Sequence, residues 1–142
     1  MTALSMSLAA YLLILTALYD FVCALCMHSR GAAAHNRLVE GMADLHSGML
    51  RRDDEEEEAP PPLLERFWAY WIVTYGVVRL LAGLCPQSGA LQIAAATTLW
   101  IEGLCLLYEA HAFGTIVPWK SCWTAALSLL LGGLVVAFAP RD

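Results

Sequence analysis

Apolar residues crowd into four stretches of this chain, each about as long as a bilayer core is thick. They run from about Ala3 to Met27, Trp68 to Cys85, Ala90 to Phe113 and Ile116 to Ala139. A membrane-spanning helix needs roughly 20 consecutive, mostly apolar residues. The strict apolar–polar alternation of a transmembrane β-barrel is missing from all four. Helices, which satisfy their own backbone hydrogen bonds in lipid, are therefore the predicted elements. Together they predict an all-α fold, a polytopic membrane four-helix bundle, with residues 1–142 forming one membrane domain. The first stretch reads as a retained helix. It is long, no basic leader precedes it, and no small-residue cleavage site stands before His28.

Polar residues gather in one place, the segment from His28 to Glu65, which the pattern puts outside the bilayer. Within it, Leu38, Met42, Leu45 and Met49 recur at helical spacing and predict a short helix lying against the membrane surface. The run from Asp53 to Pro62 has no apolar face to bury and reads as a solvated acidic and proline-rich linker. The other connections are short: Pro86 to Gly89, and a tight break near Gly114 and Thr115. Arg30, Arg37, Arg51, Arg52 and Arg66 all flank or lie in the long loop, Lys120 returns to that side, and Arg141 alone stands opposite. The positive-inside rule puts the loop in the cytoplasm and both termini across the membrane.

Composition strengthens this picture. Charged residues make up 15% of the chain, against about 25% in average soluble domains. The net charge of −5 says little about partners, because six of the 13 acidic residues are the run Asp53–Glu58. No basic patch suggests nucleic acid, and membrane lipid is the one partner the composition itself implies. The five cysteines are scattered and form neither a disulfide framework nor a zinc spacing. Cys23 and Cys26 form a C-x-x-C without a second thiol pair to exchange electrons with, which reads as incidental or lipid-modified thiols rather than a redox centre. The four histidines show no metal spacing.

Candidate chemistry lies in the charges that enter the spans, each of which costs a few kcal/mol at the bilayer centre. Arg79 is deep in the second span, on a stripe with Gly76 and Gly83. Ala95, Thr98, Glu102, Cys105 and Glu109 form a small and polar stripe on the third, with Leu99, Leu104 and Leu107 largely elsewhere. The two stripes are expected to face each other across the tight turn. Arg79 is about six residues nearer the turn than Glu102, roughly 9 Å at 1.5 Å per residue. Side chains lean toward a helix N-terminus, so on antiparallel helices these two lean together. A pair of Arg79 with Glu102, or failing that Glu109, is expected, either as a structural ion pair or as a proton or ligand site. Asp20, Glu109 and Lys120 are expected at headgroup level on the loop side, with Trp68, Trp71, Trp119 and Trp123 as the aromatic belt there.

The spacing Arg66-x4-Trp71-x7-Arg79-x29-Glu109, followed by Phe113-Gly114-Thr115-x2-Pro118, resembles the family of ergosterol biosynthetic protein 28. In that family an arginine–tryptophan pair opens the second helix, an arginine sits deeper, a glutamate ends the third helix, and an aromatic-Gly-Thr-x-x-Pro turn enters the fourth. The resemblance covers roughly Arg66 to Ala126. This chain departs at Glu65-Arg66-Phe67-Trp68-Ala69, where the family has Ala-Arg-Thr-Phe-Gly, and at Cys105, where a histidine is common. The first helix matches poorly and the acidic linker is an insertion, so the chain reads as a divergent member.

The resemblance implies a non-enzymatic scaffold of the endoplasmic reticulum membrane. It would tether the enzymes of sterol C-4 demethylation: a sterol oxidase, a decarboxylating dehydrogenase and a ketoreductase. Arg66, Trp71, Arg79, Glu102, Glu109, Gly114, Thr115 and Pro118 would be structural or partner-binding residues, and no catalytic residue or cofactor is implied. The chain has no nucleotide fingerprint or His-rich di-iron cluster, and too little soluble sequence for a cofactor domain. A second reading is a sterol-binding or sterol-isomerase-like membrane protein with Glu102 and Glu109 as buried acids. A third is an accessory subunit of another membrane complex.

Overall fold

The computed structural model describes residues 3–29, 62–114 and 118–140. Helix α1 spans Ala3–Ser29, α2 Pro62–Leu84, α3 Gly89–Tyr108 and α4 Pro118–Phe138, and α3 continues into a π-helical stretch, Glu109–Phe113. The stretches Leu8–His28, Arg66–Leu84, Gly89–Phe113 and Ser121–Phe138 are each long and apolar enough to cross a bilayer. The protein is thus an all-α four-helix bundle and a multi-pass membrane protein. The segment 30–61, holding the expected surface helix and all of the acidic linker except Pro62, lies outside the described residues, as does Thr115.

The helix ends follow from local chemistry. Pro62 opens α2, where a proline's missing N–H is no loss and its φ is already helical. The sequence reading began this element at Trp68 and put Pro62–Glu65 in the loop. Hydropathy marks only the part that crosses lipid, whereas the helix itself runs further toward the loop. After Leu84 the chain turns through Pro86, with Ser88 N–H donating to the Cys85 carbonyl at 3.0 Å. The Ser88 hydroxyl then caps α3 by accepting from Leu91 N–H at 3.4 Å. At the other end of α3, Gly114 adopts a left-handed φ of 64°, which a residue with a Cβ takes only at a cost. Pro118 then opens α4.

Packing pairs the helices as two antiparallel hairpins. Helix α1 lies along α2 and α3 along α4; α2 joins the hairpins through α3, and α1 and α4 barely touch. All four helices contribute to one core of Leu13, Ala82, Ala95, Ala96, Leu99 and Val135. Its small side chains let the backbones approach, the usual basis of helix association in lipid. Contact is closest at glycines. A Cβ on Gly83 would stand 2.6 Å from Ile14 Cγ1 and 3.0 Å from the Ala10 carbonyl oxygen. One on Gly132 would stand 2.6 Å from Trp100 Nε1.

These contacts correct two expectations. Gly76 and Gly83 face α1, against Asp20, Phe21, Ala10 and Ile14, not α3. Leu99, expected largely off the α3 stripe, packs in the core beside Ala95 and Ala96. The α2–α3 seam is held instead by polar bonds, one of them from Gln92 Nε2 to the Ala82 carbonyl at 2.6 Å, fully buried. Hydroxyls within the spans satisfy themselves locally: Thr74 and Thr97 donate to Tyr70 and Ile93 carbonyls one turn back, both at 2.9 Å.

Candidate functional site

At mid-depth, where three helices converge, lies a buried charge cluster. Arg79 of α2 is 2% exposed and reaches three partners. Its Nη1 donates to Asp20 Oδ2 of α1 at 2.8 Å. Its Nη2 donates to Glu102 Oε2 of α3. Its Nε donates to Thr98 Oγ1 at 3.3 Å, and that hydroxyl donates in turn to the Ala95 carbonyl at 2.8 Å. The Arg79 guanidinium carbon also stands 5.5 Å from the centroid of the Tyr75 ring, within cation–π range. The ring of Trp71 meets that of Tyr75 edge-on at 5.4 Å. The Tyr75 hydroxyl is buried without a hydrogen-bond partner among the described residues.

The geometry follows from helix direction. On α2 the side-chain lean carries Arg79 toward the loop end of the bundle; on α1 and α3 it carries Asp20 and Glu102 away from that end. One long cation therefore meets two acids from opposite axial directions. The expected pair of Arg79 with Glu102 is present. The expected headgroup position of Asp20 is not: Asp20 is 4% exposed and bonded to Arg79. Arg79 reaches toward the loop end and Asp20 leans away from it, so the carboxylate meets the guanidinium inside the bundle rather than the headgroups. Burial with a paired cation is how a carboxylate is tolerated at this depth.

The other candidate residues lie at the loop end. Trp68 packs both on the α1–α2 cluster of Ala24, Cys26, Met27, Ala69 and Ile72 and on the α3–α4 cluster of Leu106, Ala110 and Ala125. It thereby sets the start of α2 beside the end of α3. Around it, Arg66 and Trp71 are exposed, Glu109 opens the π-helical stretch half-buried, and Gly114 caps it. Phe113 is exposed and meets Tyr108 edge-on at 5.3 Å. Pro118 begins α4 at the same end. Trp119 and Trp123 are exposed there too, as an aromatic belt at the interface requires. Glu109 does not join the charge cluster at Arg79, which engages Glu102 instead. Cys23 and Cys26 are both buried in α1 as reduced thiols, which seats them in helix packing.

Sequence reasoning missed the role of Asp20 and the π-helical stretch. An acid in the body of an apolar span was signal enough for the first. The second left no composition cue. Among the described residues no group of three or more His, Cys, Asp or Glu side chains is placed to hold a metal ion. No protein-family model matches the chain, and neither the curated proteins nor the solved structures include a significant match to it.

Proposed function

We propose that this chain is a non-catalytic scaffold of the endoplasmic reticulum membrane. It holds the sterol oxidase, decarboxylating dehydrogenase and ketoreductase of C-4 demethylation beside one another. The reading comes from the ungapped spacing of Arg66, Trp71, Arg79, Glu109 and the Phe113-Gly114-Thr115-x2-Pro118 turn. One observation supports it in three dimensions. Trp68 ties the start of α2 to the end of α3, so Arg66, Trp71 and Phe113 share one end of the bundle with exposed side chains. That edge is a surface on which a partner's cytoplasmic face can dock, while Arg79 holds three helices in register beneath it. The gain for the pathway is effective concentration: an intermediate released next to the following enzyme is captured before it diffuses away.

The test is affinity purification from membranes in mild detergent, with identification of the co-purifying enzymes. Arg66→Ala is expected to lower co-purification more than it lowers the amount of the protein in the membrane. Absence of every sterol enzyme from the wild-type purification refutes the reading, as does turnover of a sterol by the purified protein alone. The competing isomerase reading needs a carboxylic acid free to give up a proton. Arg79 hydrogen-bonds both acids directly, so each carboxylate already has a structural partner, which disfavours that chemistry.

A further inference from the structure

The buried cluster holds two acids and one base. Two carboxylates share one guanidinium, so the formal charge with both acids ionised is 1 − 2 = −1. Each acid gives Arg79 one oxygen, Oδ2 of Asp20 and Oε2 of Glu102. Among the described residues no other Lys or Arg side chain is near to complete it: Leu8–His28, Gly89–Phe113 and Ser121–Phe138 contain no Lys or Arg, and Arg66 stands at the far loop end of its span. The surplus surfaces at one place. Side-chain exposure is 3% for Arg79 and 6% for Asp20 but 22% for Glu102. Glu102 sits on the border of α3, with Leu99, Gly103 and Leu106 buried to one side and Ile101 and Cys105 exposed to the other. It is also near the middle of the 25-residue span Gly89–Phe113, where a net charge is most costly to leave uncompensated.

We propose that Glu102 is a mid-membrane docking point for a spanning helix of another protein, one that carries a lysine or arginine at the same depth. Charge complementarity identifies the occupant. The open carboxylate oxygen accepts from the incoming ammonium or guanidinium, the combined cluster becomes neutral, and the partner's own buried cation is satisfied in the same contact. The low dielectric of the hydrocarbon core makes this pairing far stronger than at a wet surface. Neighbouring apolar side chains such as Ile101 supply van der Waals contact but no selectivity. The inference does not depend on the partner being a sterol enzyme.

The experiment uses the full-length protein, fluorescently labelled and reconstituted in phosphatidylcholine vesicles. The probes are Leu/Ala peptides of about 20 residues, long enough to span, each with one central lysine, glutamine or leucine and an acceptor dye. Energy transfer reports association. The lysine peptide is expected to bind about tenfold more tightly than the leucine peptide, about 1.4 kcal/mol, with the glutamine peptide close to leucine. In Glu102→Gln the lysine advantage is expected to vanish. Equal binding of the lysine and leucine peptides to the wild-type protein overturns the proposal. So does a glutamine peptide that matches lysine, or a lysine advantage that survives in Glu102→Gln. If Glu102→Gln does not reconstitute, the three peptides on the wild-type protein decide the matter alone.

Discussion

Removing Arg79 leaves two acids stranded at mid-membrane, whereas removing either acid leaves a neutral pair. That asymmetry is a quantitative prediction. With both acids ionised, the cluster's formal charge is −1 in the wild type. Arg79→Met takes it to −2, Asp20→Asn or Glu102→Gln to 0, the double acid variant to +1, and the triple variant to 0. Losing one partner of a buried ion pair costs about 3–5 kcal/mol, and Arg79→Met loses the partner of two acids. A cost at the top of that range is therefore expected. Each single acid variant keeps an amide oxygen to accept from Arg79 and keeps the other acid, so a cost below about 1.5 kcal/mol is expected, the scale of one net hydrogen bond. The double acid variant strands the guanidinium and is expected to resemble Arg79→Met. The triple variant is expected to recover most of that loss. Reversible unfolding in mixed micelles, followed by tryptophan fluorescence, reads all five variants. The reasoning is refuted if either single acid variant costs as much as Arg79→Met, or if the triple variant is no better than Arg79→Met.

Gly83→Ala puts a methyl against Ile14 and the Ala10 carbonyl, and forcing α1 from α2 is expected to cost about 1–3 kcal/mol. Gly133→Ala meets nothing within 4 Å and is expected to be neutral or to stabilise by up to about 1 kcal/mol through helix propensity, measured in the same unfolding assay. A single-tryptophan protein retaining exposed Trp123 is expected to be quenched best by lipids brominated near the headgroup, and one retaining Trp100 by lipids brominated near the chain ends; the reverse order contradicts the assigned depths. Deleting residues 53–61 is expected to leave membrane insertion intact, since the run has no apolar face to bury; loss of the protein from the membrane fraction is the contrary result.

Much of the architecture was legible without coordinates, because spanning a bilayer imposes length and composition on a segment whatever it packs against. The four spans, the Pro86 turn and the break at Gly114 all follow from such local rules. The Arg79–Glu102 contact was legible too, since a short turn forces α2 and α3 to be neighbours and side-chain lean then sets their reach. What periodicity does not contain is which helix a given face meets. Gly76 and Gly83 mark a close approach, and only the packed molecule assigns it to α1, a helix joined to α2 by a connection long enough to permit many arrangements. Asp20 lies 59 positions from Arg79, so nothing local couples them. Their contact exists because a buried guanidinium satisfies its donors from every helix within reach, and three helices come within reach only once the bundle is assembled.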